Sequence, residues 1–179
     1  ELRFEEGSIQ YNFVTNDLAR AAADPEIDWI IVAHPTQQYA STKNHPLFHP
    51  VGDWVETYHP LFEKYGVDLI LQGNQHNYQR TYPIKYNSDD PDYPITTERN
   101  TEEYFHPQGQ VFATVGTGGA RLHSFEGKAP YIATKYTGYG ILNLSIINGD
   151  DEAAKTGVTT LMAQFYGNDG RIRDNFTIE

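Results

Sequence analysis

Two histidines and an asparagine stand at positions where side chains could bind a metal ion. His34 ends the apolar run WIIVAH, and His76 lies four residues after the apolar run VDLILQ. Both runs read as strands buried on both faces, and ligands of open α/β sheets collect beyond the carboxyl ends of such strands. Asn74 and His76 are two positions apart, so in an extended stretch their side chains point to the same side. If the two strands are neighbours, these residues offer two imidazole nitrogens and one amide oxygen to a shared ion.

Two predicted helices connect and position these strands. Ser8 is a good N-cap for a helix over Ile9–Ala23, with an apolar side led by Ile9, Phe13 and Leu18. Aromatic and leucine residues near helical spacing predict a second helix before VDLILQ, which Pro60 must either kink or begin. A strand, a helix and a strand with short connections form the α/β crossover pattern, which predicts parallel pairing of the two strands.

The later part of the chain reads mainly as strands. The segments QVFATV, GILNLSII, VTTLMAQFY and RIRDNFTIE predict four strands, and GNDG predicts a hairpin between the last two. Alternation predicts that two sets of residues each share one strand face: Leu161, Ala163 and Phe165, and then Ile172, Phe176 and Ile178. The acidic, proline-containing stretch at 87–109 predicts a long loop, functional or mobile, and GTGG predicts a tight turn beside the site. We expect one partial domain over 1–179, with an α/β part at 1–85 that carries the site and a mostly β part at 110–179.

Composition excludes several kinds of chemistry and partner. The net charge of -11 argues against nucleic acid and anionic membranes as partners, because both would be repelled. The absence of cysteine excludes thiol catalysis, disulfides and cysteine-bound zinc. No apolar run approaches the roughly 18 residues of a membrane span. Any metal ion must therefore be held by His, Asp, Glu, Asn or Tyr.

Three segments carry a resemblance to a known family. The stretches at 5–34, 58–73 (YHPLFEKYGVDLILQG) and 76–83 (HNYQRTYP) closely resemble the later half of calcineurin-like metallophosphoesterases, in particular the purple-acid-phosphatase-like branch. VFATVGTGG also resembles a strand and glycine turn of that family. The resemblance implies an α/β fold, a mixed-sheet sandwich flanked by helices, of which this chain carries only the C-terminal part.

The resemblance also implies roles for individual residues. His34 matches a single histidine ligand, and His76 matches the second histidine of the family motif Gly-His-x-His. Asn74 stands in place of the first histidine, and Gln79 stands where the branch commonly has Glu. His45 lies where the family places histidines that contact the phosphate and protonate the leaving group. The implied cofactor is a pair of Fe, Zn or Mn ions.

The family's remaining ligands come from three motifs that precede the region resembled here: Asp-x-His, Gly-Asp-x-x-(x)-Asp or Tyr, and Gly-Asn-His-Asp or Glu. This chain contains none of the three, because its Gly-Asp pairs lack the further residues. We therefore expect a chain that begins halfway through its parent domain, since it also does not start with Met. Alone it would leave the metal site incomplete, and the upstream half of the same domain would be its partner.

Two functions stay open at this point. The first is metal-dependent hydrolysis of phosphate mono- or diesters by the intact protein, on a phosphorylated small-molecule or ester substrate. The second is a degenerate phosphoesterase fold without catalysis, which serves as a binding or structural module. Family habit and acidic charge favour an extracellular or cell-surface location over the cytoplasm. For Arg80 we expect an acidic partner, and for four histidines we expect structural or surface roles: His49, His59, His106 and His123.

Overall fold

The computed structural model describes residues 3–41, 52–125, 127–148 and 159–179. Within these residues the chain forms two α-helices, α1 (Ile9–Ala23) and α2 (Gly52–Lys64). The strands are, in chain order, β1 Ile31–His34, β2 Leu69–Gln72, β3 Tyr78–Thr81, β4 Ile84–Lys85, β5 Ile95–Thr96, β6 Glu103–Tyr104, β7 Val111–Val115, β8 Ile132–Tyr136, β9 Gly140–Asn148, β10 Thr159–Gly167 and β11 Ile172–Ile178. Neither helix is long and apolar enough to cross a membrane, and this finding extends only to the residues just given.

Helix α1 begins where the sequence predicts. The hydroxyl oxygen of Ser8 accepts a hydrogen bond from the backbone N–H of Tyr11 at 3.1 Å, which satisfies one of the free donors of the first turn. The predicted apolar side is wrong, because Ile9 is 92% exposed whereas Leu18 is buried. Nine residues at 3.6 residues per turn separate these two side chains by about half a turn, so they cannot share a face.

The first sheet has the strand order β1-β2-β7-β3-β8. Strands β1, β2 and β7 are parallel, β3 is antiparallel to β7, and β8 is antiparallel to β3. The predicted parallel pairing of β1 with β2 is confirmed, with His34 opposite Gln72. Burial on both faces was predicted for both strands; it is found for β2 but is wrong for β1, which lies at the edge of the described sheet with Ile31 38% exposed.

Two cores lie on opposite faces of the first sheet. Ile70 and Phe112 face α1 and α2 in a helix-side core. Leu69 and Val111, one residue earlier on the same strands, face the second sheet. This alternation follows from the two-residue period of a strand. The molecule is therefore a sandwich of two mixed sheets flanked by helices on one side, which confirms the predicted fold class.

The second sheet has the order β6-β11-β10-β9, and the hairpin predicted at GNDG joins β10 to β11. Leu161, Ala163 and Phe165 are fully buried against the first sheet, as predicted. Ile172 is 49% exposed and does not share the inward face of β11. A register shift between Phe165 and Tyr166 interrupts the alternation there, so the prediction for Ile172 is wrong.

Strand β3 lies between β7 and β8 in the first sheet, although its polar residues predict no strand. All four of its residues are buried. Arg80 donates to both carboxylate oxygens of Asp174 on β11, with N···O distances of 2.6 and 2.9 Å, and Tyr78 donates to the same carboxylate at 2.7 Å. The acidic partner expected for Arg80 is therefore Asp174, which lies across the interface between the two sheets.

Candidate functional site

A row of polar side chains crosses the carboxyl ends of the parallel strands. The register places His34 opposite Gln72, Gln72 opposite Thr114, and Thr114 opposite Gln79 of β3. Gln72 and Thr114 each lie two residues beyond a member of the helix-side core, so this row faces the helices. We call these four residues the polar row.

The polar row holds down the segment that follows β1. The side-chain oxygen of Gln72 accepts from the backbone N–H of Gln38 at 2.8 Å, and its side-chain nitrogen donates to the carbonyl of Tyr39 at 2.7 Å. Gln79 accepts from the backbone N–H of Ser41 at 2.6 Å. Buried amides need such partners, since an unpaired buried polar group is costly. The segment after β1 therefore covers this edge of the sheet, and the hydrogen bonds that hold it there join uncharged groups.

His34 lies at the end of this row and is mostly enclosed. Its ring packs against Trp54 and Phe62 of α2, with centroid separations of 5.6 and 6.2 Å. Its Nε2 lies 3.1 Å from the side-chain oxygen of Gln38, and an amide oxygen can only accept, so Nε2 carries the proton. Burial lowers the pKa of His34 to about 4, although its contacts with Gln38 and the Thr36 backbone oppose this. The imidazole is neutral at pH 7, which is the form that binds metal ions.

The second ring nitrogen of His34 has an unusual environment. Nδ1 is buried and has no hydrogen-bond partner of good geometry among the residues that the structure describes. With the proton on Nε2, Nδ1 carries a lone pair. A neutral imidazole with a buried lone pair fits the chemistry of a metal ligand.

Asn74 does not occupy the extended stretch that the sequence suggests. Its φ is 69°, in the left-handed region that Asn tolerates better than most residues. Two short hydrogen bonds, both 2.9 Å, bend the chain in consecutive three-residue turns: Gln75 N donates to Gly73 O across Asn74, and Asn77 N donates to Gln75 O across His76. The expectation that Asn74 and His76 point to one side of an extended stretch is therefore wrong. The side chain of Asn74 is exposed.

His76 is held in place by the loop that follows β7. Its Nδ1 lies 2.8 Å from the carbonyl oxygen of Arg121, so Nδ1 donates and Nε2 carries the lone pair. This arrangement is the usual way in which a protein orients a metal-binding histidine. The ring also stacks on His123, with centroids 4.2 Å apart and planes 22° apart.

His123 is a site residue that the sequence analysis missed. Its backbone N–H donates to the carbonyl of His76 at 2.9 Å, and its Nδ1 lies 3.2 Å from the side-chain oxygen of Gln75. Partial burial lowers the pKa of His123, and the neighbouring His76 and Arg121 charges add to this. No sequence signal pointed to the pairing, because 47 residues separate the two histidines and β7 brings them together.

The glycine turn after β7 packs closely against the His76 loop, with Gly116 beside the backbone of Gln75. A Cβ on Gly116 would lie 1.9 Å from the carbonyl oxygen of Gln75, so only glycine fits. At the neighbouring loop a Cβ on Gly73 would lie 3.3 Å from the carbonyl of Pro35, which links the ends of β1 and β2. These two approaches bring the loops of His34 and His76 to the same edge of the sheet.

The contacts of the two rings involve different parts of the chain. His34 contacts α2 and Gln38, whereas His76 contacts the loop after β7. Among the residues that the structure describes, no group of three His, Asp or Glu side chains could hold a metal ion. Each imidazole thus fits a ligand by its own chemistry, but the described residues do not form a metal site by themselves. His45 and His49 lie outside the described residues.

His59 has the structural role that we expected. Its side chain is fully buried on the inner face of α2, where Nδ1 accepts from the hydroxyl of Tyr39 at 2.6 Å and Nε2 lies 3.3 Å from the side-chain oxygen of Gln110. Burial lowers its pKa to about 4. Pro60, the next residue, lies inside α2, so the alternative that it begins the helix is wrong.

Comparison with known proteins identifies the family. The chain is 30% identical over 181 residues to "Probable inactive purple acid phosphatase 1" of Arabidopsis thaliana, a match that covers 98% of this chain and 27% of that protein. It is 37% identical over 92 residues to "Acid phosphatase type 7" of Homo sapiens, covering 50% of this chain and 20% of that protein. No family model matches the sequence.

A solved structure gives the same result. The purple acid phosphatase PPD1 from yellow lupin (Lupinus luteus) seeds superposes with a TM-score of 0.79 and 26% identity, over 100% of this chain and 29% of that one. The fold is thus a sandwich of the kind found in purple acid phosphatases. Within that class, the chain belongs to the purple-acid-phosphatase-like proteins and corresponds to a C-terminal part of one. It spans between a fifth and a third of the length of these relatives.

Proposed function

We propose that this chain is the C-terminal part of a protein that hydrolyses phosphate mono- or diesters with the help of metal ions. The observation that carries the proposal is the orientation of His76, whose Nδ1 donates to the carbonyl of Arg121 and leaves Nε2 as the ligand atom. The neutral ring of His34 at the end of the neighbouring strand supports it. Family membership supplies the reaction class, and one relative is named an acid phosphatase.

In this proposal His34, Asn74 and His76 hold part of a pair of Fe, Zn or Mn ions. The remaining ligands come from the upstream half of the same domain, outside this chain. When bound, such a pair polarises phosphoryl oxygens and supplies a hydroxide at neutral pH. This chain's own residues would keep His34 neutral and would orient both imidazoles, and His45 would protonate the leaving group. The substrate would be a phosphorylated small molecule or ester, and the protein would act outside the cytoplasm, in the extracellular space or at the cell surface.

A second function is favoured by two specific observations. Gln79 and Asn74 replace the Glu and His of the family pattern with neutral amides, and the amide of Gln79 is engaged with Ser41. One relative is named a probable inactive purple acid phosphatase. The alternative is a fold that has lost its chemistry and serves as a binding or structural module.

Metal content and hydrolysis distinguish the two functions. We would measure bound Fe, Zn and Mn, and hydrolysis of an aryl phosphate with and without chelator, in the longer protein that contains these residues. The enzyme proposal predicts chelator-sensitive hydrolysis that His76→Ala lowers by at least about 10-fold, since residues that orient metal ligands typically have effects of about 10–100-fold. The exposed His106, replaced by Asn, is the matched control and should leave hydrolysis unchanged.

Replacement of Asn74 gives an independent test of the same site. Imidazole is a stronger donor than a neutral amide for zinc and iron. We therefore expect Asn74→His to raise metal occupancy at equal metal concentration. Unchanged occupancy, together with chelator-insensitive background hydrolysis in the parent protein, would leave the non-catalytic module as the function.

A further inference from the structure

The two N-glycosylation sequons of the chain lie together on one surface. Asn143-Leu-Ser and Asn175-Phe-Thr are the sole Asn-x-Ser/Thr triplets in the 179 residues. They are 32 positions apart in the sequence, on β9 and β11. The sequence alone gives no reason for them to be near each other.

Both sequons face away from the core of the sandwich. On β9, Leu142 and Leu144 pack toward the core between the sheets, so Asn143 and Ser145 point outward. On β11, Phe176 and Ile178 are buried, while Asn175 is exposed. The acceptor amide and the hydroxyl residue of a sequon are two positions apart, so in a strand they share one face.

The register places the two asparagines in the same row. Asn143 is paired with Gln164 of β10, and Gln164 is paired with Asn175. The two acceptors are therefore two strand spacings apart, which is about 10 Å. Within this row the side-chain nitrogen of Gln164 donates to the side-chain oxygen of Asn175 at 3.0 Å, and the side-chain nitrogen of Asn143 donates to the hydroxyl of Ser145 at 3.2 Å.

The same face exposes apolar side chains on an open strand edge. β9 is the last strand of the described second sheet, with β10 on one side only. Ile141 and Ile147, two and four residues from Asn143 on the outward side, are 68% and 45% exposed. A long edge strand with exposed isoleucines invites pairing with other chains, and soluble proteins protect such edges.

We propose that Asn143 and Asn175 are both N-glycosylated, and that the outward face of β9, β10 and β11 is a glycan-bearing surface of the protein. In the reaction, the side-chain nitrogen of Asn attacks C1 of the first sugar of a lipid-diphosphate-linked oligosaccharide. The C1–N bond forms, the C1–O bond to the diphosphate breaks with its electron pair leaving on the diphosphate, and the amide nitrogen loses one proton to a base. Two glycans about 10 Å apart cover Ile141 and shield the edge of β9.

Translocation into microsomes tests the proposal directly. The 179-residue chain is translated behind a cleavable signal sequence in the presence of translocation-competent microsomes, and its mass is followed before and after peptide N-glycosidase. We expect two increases in mass, one for each attached glycan, and the glycosidase should reverse both. Asn143→Gln and Asn175→Gln should each lose one increase, and the double variant should lose both.

Matched variants show which sequon carries each glycan. Ser145→Ala and Thr177→Ala should lose the same increases as the asparagine variants, whereas Thr177→Ser keeps the sequon and should keep both. Asn168→Gln, an exposed asparagine outside any sequon, is the control and should also keep both. A chain whose signal sequence is cleaved and which resists external protease, yet carries one glycan or none, overturns the proposal.

A second readout tests the shielding. The secreted, glycosylated longer protein that contains these residues should remain monomeric in sedimentation at concentrations where its Asn143→Gln, Asn175→Gln double variant associates. Equal association of the two would refute the protection of the β9 edge, and this outcome is separate from hydrolytic activity.

Discussion

At the scale of single residues, the sheet edge is built from side chains without formal charge. Gln72 and Gln79 bind backbone groups of the segment after β1, and Asn74 occupies a left-handed bend. His34 is neutral because burial lowers its pKa. Amide oxygens are weaker donors than imidazole for zinc or iron, so this chemistry weakens a metal site at Asn74 without excluding one.

The buried ring of His59 makes stability depend on pH. The pKa of His59 is 6.5 for a solvated imidazole, as in the unfolded chain, and burial lowers it to about 4 in the folded protein. Between these two pH values the unfolded chain binds a proton that the folded chain does not. Stability is therefore full above pH 6.5 and falls as the pH drops toward 4. At about 1.4 kcal/mol per pKa unit, the loss from this group reaches roughly 3 kcal/mol.

Replacement of His59 by Gln tests this dependence. The glutamine does not titrate, so we expect urea unfolding to show a shallower fall in stability from pH 6.5 to 4 than in the parent chain. His106→Asn is the control, because His106 is exposed and its positive φ of 45° suits Asn. An equally steep fall in the His59→Gln variant would contradict the assignment.

At the scale of elements, two glycines of the same turn, Gly116 and Gly118, give a matched pair of tests for the loop after β7. A Cβ on Gly116 would collide with the carbonyl of Gln75, whereas a Cβ on Gly118 meets nothing within 4 Å. We expect Gly116→Ala to cost about 1–3 kcal/mol of unfolding free energy, the usual range for overpacking. Gly118→Ala should stay within about 0.5 kcal/mol of the parent. Equal effects in thermal or urea unfolding would show that the approach of the two loops is looser than described.

The same pair should separate the environment of His76 from overall stability. Gly116→Ala pushes on the Gln75 carbonyl and should shift the ring resonances of His76 and His123 in NMR spectra. Gly118→Ala should leave them in place. This follows from the stacking of the two rings and from the hydrogen bond between their backbones.

Elements whose signals are local were predicted well from the sequence. The cap at Ser8, the hairpin at GNDG and the parallel pair β1–β2 depend on turn residues and short crossover connections, and the structure contains all three. Strand β3 was missed because its polar residues suggested a loop. Their partners, among them Asp174, lie far away in sequence, so no local pattern could reveal that these residues are buried.

The candidate site was predictable only in part for the same reason. His34 and His76 were identified from their places after two strands and from a family resemblance, and their roles as ligands stay a prediction. The partners that orient them, Gln38 for His34 and Arg121 and His123 for His76, are set by loop packing. The turns at Asn74 and His76 are closed by two backbone hydrogen bonds, which cannot be predicted from the spacing of the side chains.

At the scale of the whole molecule, a buried ion pair joins the two sheets. Arg80 on β3 and Asp174 on β11 are almost completely buried, and the guanidinium also stacks over Phe176 at 4.2 Å. We expect Arg80→Met to cost about 3–5 kcal/mol, because it leaves the carboxylate buried without its partner. The double variant Arg80→Met, Asp174→Leu should be less destabilised than the single one.

The neighbouring surface pair provides the control for this prediction. Arg173 pairs with Asp169 on the exposed hairpin, where both side chains are partly solvated. Arg173→Met should change the unfolding free energy by about 1 kcal/mol or less. If Arg80→Met lowered the unfolding free energy as little as Arg173→Met does, the interface between the sheets would be hydrated.

The uncharged polar row has a consequence for how anions approach the molecule. With a net charge of -11, the chain as a whole repels a phosphate ester in solution. The sheet edge at His34, Gln72, Thr114 and Gln79 adds nothing to that repulsion, and Arg121 stands beside it at His76. Any repulsion that an anion meets at this edge therefore comes from charges elsewhere in the molecule, and added salt would screen it.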